Sequence, residues 1–168
     1  MGAEPTNEGG LMPTAHISES SQEEVSENDN LARARELVNR ARAKADRGNL
    51  TEAIIYAVNS VEAAPTLVCS WLVLALIQEE MNRLDDALES LNKAAYLEPR
   101  LAVAHLQIAR VKSRLGDANF TLSLANFNKL TRELQPNEIL PESVGLYVRE
   151  ARSLAANLEN RTHLRGTV

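Results

Sequence analysis

Histidine, cysteine and adjacent carboxylates are the side chains of this sequence that could perform acid–base, nucleophilic or metal chemistry. His16 and His163 lie near the two ends of the 168-residue chain, and His105 lies within an apolar helical pattern. A packed role is the simpler interpretation of His105 than a general base. No two histidines or cysteines have the spacing of metal ligands. We therefore expect no catalytic residue, no metal ion and no cofactor.

The single cysteine and the paired carboxylates have similarly plain interpretations. One cysteine, Cys69, cannot form an internal disulfide and fits a reducing cytoplasm. It is more simply a small packed residue than a reactive thiol. The pairs Glu79–Glu80 and Asp85–Asp86 are adjacent in sequence, so their side chains diverge around a helix. They fit the end of one helix and the acidic start of the next.

A fixed period organises the middle of the chain and defines the elements that carry these side chains. The segments "RGNLTEAIIYAVNSVEAAP" and "RLDDALESLNKAAYLEP" share an acidic first turn, an alanine, apolar residues at helical spacing and a closing proline. A period of about 34 residues is typical of stacked helical repeats. The pairs that repeat with this period are Leu50 and Leu84, Ala53 and Ala87, and Pro65 and Pro99.

The composition indicates an all-α protein, because alanine, leucine, arginine and glutamate are abundant and glycine is sparse. Helical spacing predicts seven helices, near 31–47, 51–63, 67–81, 85–97, 101–115, 118–134 and 141–160. No apolar run approaches the roughly 20 residues that span a bilayer. We therefore expect a cytoplasmic protein without membrane insertion.

The charge distribution predicts where the domain begins. The segment 1–30 contains seven acidic and no basic side chains, so all 18 lysines and arginines follow it. The first segment also has few large apolar residues, and we expect a disordered acidic tail or interdomain linker. The domain is predicted over residues 31–160, with repeats at 34–67, 68–101 and 102–138 and a capping helix at 141–160. Residues 161–168 are expected to be a frayed end.

The second unit resembles the tetratricopeptide repeat. The residues that carry this resemblance are Trp71, Leu74, Ala75, Ala87, Leu91, Ala94 and Pro99, at repeat positions 4, 7, 8, 20, 24, 27 and 32. The resemblance implies a right-handed superhelix of antiparallel helix pairs, about three repeats plus a C-terminal capping helix. The third unit departs, since Pro136 lies farther from Pro99 than Pro99 does from Pro65. We expect a longer second helix or an insertion near Asn119, with Thr121 or Ser123 at position 20.

The same resemblance implies a concave groove formed by the first helix of each repeat. Its apolar middle and flanking arginines would bind an amphipathic helix or an extended peptide with acidic flanks. The alternative is that the arginines are only solvated and the leucines are covered by neighbouring helices. The predicted groove residues are Arg35, Val38, Asn39, Arg42, Cys69, Leu72, Leu76, Leu106, Gln107, Arg110 and Arg114.

The chaperone-tail clamp of some relatives is not expected. That clamp needs lysine, asparagine and arginine at five groove positions of the three units. The positions here hold Val38, Arg42, Val73, Val103 and Gln107.

A narrower resemblance covers residues 94–146. The matching residues are Tyr96, Leu97, Pro99, Ala104, His105, Phe127, Asn128, Leu130, Pro141, Glu142, Ser143, Gly145 and Leu146. This pattern is similar to the repeat module behind the catalytic domain of some chemotaxis receptor glutamate methyltransferases. It implies a non-catalytic regulatory module of an S-adenosylmethionine-dependent enzyme. The partners would be a chemoreceptor tail, a response regulator or the module's own catalytic domain, with no nucleic acid. The alternative is a scaffold or homo-oligomer unrelated to methylation.

Overall fold

The computed structural model describes the backbone of residues 19–165 and the side chains of residues 26–160. The described backbone forms seven α-helices and no strand. The helices are α1 (Glu19–Ala45), α2 (Leu50–Ala63), α3 (Val68–Glu80), α4 (Leu84–Leu97), α5 (Ala102–Leu115), α6 (Phe120–Thr131) and α7 (Val148–Arg165). Successive helices pack against each other, and α1 also packs against α3. The predicted all-α helical-repeat superhelix is therefore confirmed.

The turns inside the three helix pairs are built alike. Gly48, Asn82 and Gly116 each adopt a positive φ, at 74°, 58° and 77°, and they are evenly spaced along the chain. Glycine and asparagine are the residues that tolerate this left-handed conformation, which ends one helix and lets the next return. The period seen in the sequence is thus a period of backbone geometry.

The joints between repeats also share one hydrogen bond. The indole Nε1 of Trp71 donates to the carbonyl of Pro65 at 2.8 Å. One period later, Nε2 of His105 contacts the carbonyl of Pro99 at 2.9 Å. A carbonyl oxygen only accepts, so His105 donates through Nε2. This contact agrees with a packed structural role for His105.

The core consists of three clusters that follow the repeats. The first cluster joins α1, α2 and α3, the second joins α3, α4 and α5, and the third joins α5, α6 and α7. Fully buried alanines, such as Ala41, Ala53 and Ala87, let paired helices approach closely. Each helix pair therefore completes its core only with the first helix of the next unit.

The first helix begins earlier than predicted. Helix α1 starts at Glu19, twelve residues before the predicted start of the domain at residue 31. Extending an existing helix adds about one hydrogen bond for each residue fixed, and acidic residues near the N-terminus are favoured by the helix dipole. Residues 1–18 of the predicted tail lie outside the described residues.

The third repeat is shorter in its second helix than predicted. Helix α6 has 12 residues, whereas α2 and α4 have 14 each. Phe120 and Leu124 are buried, as Ala87 and Leu91 are in the second unit. Each lies one position earlier in the chain than the repeat period predicts. Phe120 thus takes the position expected for Thr121 or Ser123, and Thr121 is exposed. A tight turn from Asp117 to Phe120, closed by a 3.2 Å backbone hydrogen bond, accounts for the missing position.

An arginine from the last helix caps the end of α6. The guanidinium of Arg152 donates through Nη2 to the carbonyl oxygens of Thr131, Arg132 and Leu134. Carbonyls at a helix C-terminus lack intrahelical donors and carry partial negative charge, so a cation there is stabilising. This contact stabilises the end of α6 and ties it to α7.

The predicted cap at residues 141–160 is only partly helical. Helix α7 begins at Val148 and runs to Arg165, so the frayed end predicted from residue 161 is helical as far as the backbone is described. Residues 140–147 form a compact turn in which Glu142 and Gly145 have positive φ of 58° and 74°. These left-handed residues are incompatible with a continuous helix. Residues 166–168 lie outside the described part.

Candidate functional site: the groove face

The groove face is the surface formed by the first helices of the repeats, α1, α3 and α5. Three predicted groove residues, Val38, Leu72 and Leu106, are only 2%, 2% and 5% exposed and belong to the core clusters. They are corrections to the predicted site, because neighbouring helices cover them. The expectation that leucines form an open apolar floor holds only for Leu76, which is half-buried.

The remaining predicted residues do reach the surface. Arg35, Asn39 and Arg114 are exposed, and the others are partly exposed. Those with partial exposure are Arg42, Cys69, Leu76, Gln107 and Arg110. The groove face is therefore more polar than the sequence predicted.

A carboxylate bridges two arginines across α3 and α5. Oε2 of Glu79 lies 2.6 Å from Nη2 of Arg110, and Oε1 lies 2.9 Å from Nη1 of Arg114. Arg114 also donates to Oδ1 of Asn82 at 3.1 Å. The Glu79 side chain is only 10% exposed, whereas the two arginines are about 40% exposed. This cluster links the second and third repeats, and it neutralises part of the predicted arginine flank.

The sequence contains a signal for this cluster that the prediction of the groove residues did not include. Glu79 lies at position 12 of the second unit and Arg110 at position 9 of the third. First helices of adjacent units run side by side, so opposite charges near the ends of both helices can meet. Beside the cluster is a shallow pocket of about 280 Å³, to which Leu76 and Glu80 also contribute.

Arg40 of α1 pairs with Glu36 at 2.9 Å, but the two arginines of this helix that were predicted to line the groove have no such partner. Arg35 and Arg42 make no ion pair with any residue whose side chain is described. The Nε atom of Arg42 is buried and has no hydrogen-bond acceptor. Because Nε has no accessible surface, a partner can reach Arg42 only through the other, partly exposed atoms of its side chain.

Cys69 lies between these arginines and the turn before α7. Burial raises the pKa of the Cys69 thiol, and the carboxylate of Glu142 raises it further. Arg42 and Arg35 oppose these effects. The thiol is protonated at neutral pH and therefore a poor nucleophile, which agrees with a packed role.

The turn before α7 reaches onto the groove face. Ser143 donates through Oγ to the carbonyl of Leu140 at 2.6 Å, and the amide of Leu140 donates to the carbonyl of Leu146 at 2.9 Å. Leu140 is buried in the core of α5, α6 and α7. Pro141 and Glu142 line a pocket of about 380 Å³ together with Val68, Glu98, Arg100 and Leu101. The turn thus covers the start of α5. The sequence had predicted a helix over these turn residues.

A second pocket, which we call the cap pocket, lies between α5 and α7. Its volume is about 240 Å³. Its wall is mostly aliphatic, and polar groups come only from Gln107, Arg110 and Asn157. The aliphatic residues of the wall are Val103, Leu106, Leu146, Leu154 and Leu158. The sequence located the α5 side of this pocket but not the α7 side, because the course of residues 140–147 was mispredicted.

The part of the chain that the structure describes has neither a metal-type cluster nor a membrane-spanning helix. Within these residues, no group of three or more histidine, cysteine, aspartate or glutamate side chains could hold a metal ion. None of the described helices is long and apolar enough to cross a membrane.

The fold and the groove face define a helical-repeat protein. Residues 70–101 match the sequence profile of the tetratricopeptide repeat. A tetratricopeptide repeat and J domain-containing co-chaperone of Fusarium oxysporum f. sp. lycopersici is 32% identical over 81 residues. The match covers 48% of this chain but only 16% of the co-chaperone.

Solved structures show the same fold. The type III secretion translocator chaperone SycD of Yersinia enterocolitica superposes with a TM-score of 0.68 and 15% identity, covering 80% of this chain and 95% of SycD. The TPR2B domain of yeast Sti1, solved in complex with pHsp70, gives 0.65 and 15% over 77% and 98% of the two chains. The sequence match identifies one tetratricopeptide repeat at residues 70–101, and the structural similarity shows that the described helices have the fold of such repeats.

Proposed function

We propose that this chain is a non-catalytic protein–protein interaction module that binds a peptide or a short helix on its groove face. The observation that carries the proposal is that Arg35 and Arg42 both reach the surface of α1 and form no ion pair with a described side chain. An acidic side chain of a partner would pair with these cations through charge-assisted hydrogen bonds. The peptide complex of the Sti1 domain, which has a similar fold, supports this type of function.

The proposed ligand is not a chaperone tail held by the known clamp. Val38, Val73 and Val103 occupy three of the clamp positions, and their buried aliphatic side chains have no donor for a ligand carboxylate. The similarity to a co-chaperone covers a small part of that protein.

We further propose that the module regulates a chemotaxis receptor methyltransferase, as its narrower resemblance implies. The support is that the Pro-Glu-Ser-x-Gly-Leu segment forms a defined turn. Ser143 closes that turn, and Gly145 adopts a left-handed conformation there. The proposed partners are a chemoreceptor tail, a response regulator and the catalytic domain of the enzyme.

A pull-down with these three partners tests both levels of the proposal. Arg42→Glu should abolish capture of the true partner, because it replaces the unpartnered cation with an anion. Arg33→Glu is the matched control: it makes the same charge change on α1, about 200° around the helix from Arg35. Circular dichroism should show that both variants remain helical.

The outcomes separate the proposals. Capture by wild type and Arg33→Glu but not by Arg42→Glu supports binding on the groove face, and the captured protein decides the signalling role. Equal capture by both variants places the interface elsewhere and overturns the groove proposal. A molar mass that rises with protein concentration in light scattering would instead favour the alternative, a scaffold or homo-oligomer.

A further inference from the structure

We propose that the turn at residues 140–147 is an autoinhibitory strap, which holds the carboxylate of Glu142 at the end of the groove face where α3 and α5 begin. There the carboxylate competes with the acidic group of a partner for Arg35 and Arg42 of α1. This inference rests on the proposed interaction function and adds a regulation of that site. The competing group belongs to this chain, so the chain itself limits how tightly a partner binds.

The turn places Glu142 beside the starts of two helices of the groove face. Glu142 lines the pocket of about 380 Å³ together with Val68, the first residue of α3, and Leu101, the residue before α5. Neither helix has an acidic residue in its first turn or a side-chain hydrogen bond at its N-cap, whereas α2 and α4 each have an acidic first turn. The N-terminus of a helix carries partial positive charge, which favours a nearby carboxylate. Glu142 supplies this charge from a distant part of the chain.

The same carboxylate shares its surroundings with the arginines of α1. Cys69, the second residue of α3, reports this arrangement: burial and then Glu142 raise the pKa of its thiol, whereas Arg42 and Arg35 lower it. One anion and two cations from separate elements therefore act on a single side chain. None of the three forms an ion pair with a described side chain. The arginines are attracted to Glu142 without a fixed contact, so they remain available to a competing carboxylate.

The turn holds Glu142 in a conformation that glutamate rarely adopts. Its φ is 58°, and positive φ is uncommon for residues other than glycine. Ser143 fixes the turn, because its Oγ donates to the carbonyl of Leu140 at 2.6 Å and accepts from the amide of Leu146 at 3.2 Å. Strained backbone of this kind is found at functional sites and switches, where the surrounding structure imposes it. The Glu142 side chain is exposed, so a partner that displaces it breaks no core contact.

The first test uses Cys69, the only cysteine of the chain, as a reporter of the strap. The rate of its alkylation by iodoacetamide is measured against pH, because the thiolate is the reactive form. Glu142→Gln removes the carboxylate near Cys69, so the midpoint of the pH profile should move downward and the rate at neutral pH should rise about twofold or more. Glu89→Gln makes the same change at an exposed position of α4, outside the groove face, and should leave both unchanged.

The second test measures competition with fluorescein-labelled hexaglutamate, followed by fluorescence anisotropy at low salt. Glu142→Gln should bind this probe about three- to tenfold more tightly than wild type, because a competing anion is removed, and Glu89→Gln should bind it like wild type. Ser143→Ala keeps the carboxylate but loosens the turn, and it should also tighten binding. Glu142→Asn removes the same charge with a residue that tolerates the left-handed conformation, so the test does not depend on the folding of one variant.

The outcomes separate the strap from the proposed function. Faster alkylation together with tighter hexaglutamate binding in both Glu142 variants supports the strap. Faster alkylation with unchanged binding overturns the autoinhibition, and the groove function is retained if Arg42→Glu abolishes binding of the probe. Alkylation at the wild-type rate in both Glu142 variants overturns the placement of the strap. Absence of hexaglutamate binding by every variant up to about 1 mM overturns both the competition and the acidic partner.

Discussion

Replacing Glu79 with glutamine should weaken the link between the second and third repeats. The carboxylate bonds to Arg110 at 2.6 Å and to Arg114 at 2.9 Å, while its own side chain is 10% exposed. A hydrogen bond to a charged group contributes about 1.5–3 kcal/mol. The two arginines are about 40% exposed, so solvent screening reduces this value. Glutamine retains one acceptor, and we expect a loss of about 1–2 kcal/mol of unfolding free energy.

Urea unfolding followed by circular dichroism measures this loss. If the free energy of unfolding falls by about 2 kcal/mol per molar urea, the urea concentration at the midpoint should fall by about 0.5–1 M. The matched control is Glu80→Gln, which removes the adjacent exposed carboxylate and should change the unfolding free energy by less than about 0.5 kcal/mol. The difference should shrink in about 1 M salt, where surface charge interactions are screened over about 3 Å. Equal effects of Glu79→Gln and Glu80→Gln would refute a structural role for the cluster.

Other contacts give three more predictions. Arg152→Gln removes the cap of α6 and should cost about 1.5–3 kcal/mol, with faster amide exchange in α7. Arg149→Gln should cost much less, because the contacts that Arg149 makes with Asn137 and Tyr147 are at the surface. The hydrogen bond from Lys44, followed by that from Asn49, lowers the pKa of Glu52. Its stabilising contribution is therefore present above the unfolded pKa of about 4.3 and is lost as pH falls through the lower folded value. Glu52→Gln should flatten the acid limb of the stability curve, measured by urea unfolding between about pH 5 and 2. Cys69 should react with a thiol reagent more slowly than free cysteine at neutral pH, because its pKa is raised, and it should reach the free rate in urea.

The elements that the sequence predicted well are those whose residues are fixed by local geometry. Gly48, Asn82 and Gly116 adopt left-handed turns at intervals equal to the period found in the sequence. Position 4 of the second and third units, held by Trp71 and His105, makes the same contact in both units. These features depend on neighbours within one repeat length, so a single sequence carries them.

The elements that were mispredicted depend on contacts between distant segments. The end of α6 at Thr131 is bound by Arg152, which lies 21 residues later in the chain. Leu106 was expected to line an open groove, but it packs in the core with residues of α6 and α7. Helical periodicity assigns a residue to a face of its helix, and the packing of other helices decides whether that face is open.

The missed components of the candidate site have the same cause. The cap pocket needs Leu146 and Leu154, which were predicted to lie on one continuous helix. In the structure Leu146 lies in the turn before α7, whereas Leu154 lies in α7. Pairing of Glu79 with α5 likewise required the relative position of two helices, which no pattern within either helix records.

The equal spacing of Gly48, Asn82 and Gly116 has a consequence for the length of the molecule. The unit 68–101 has the same contact at both of its junctions, because Trp71 and His105 each bond to the carbonyl of the preceding proline. A tandem copy of this unit would meet matching surfaces on both sides and add one inner helix, about 10 Å, to the groove face. A copy inserted after the third unit would instead meet the turn before α7 and a second helix in which Phe120 lies one position earlier than the repeat period predicts. The array can therefore be lengthened in its middle, whereas its C-terminal end is closed.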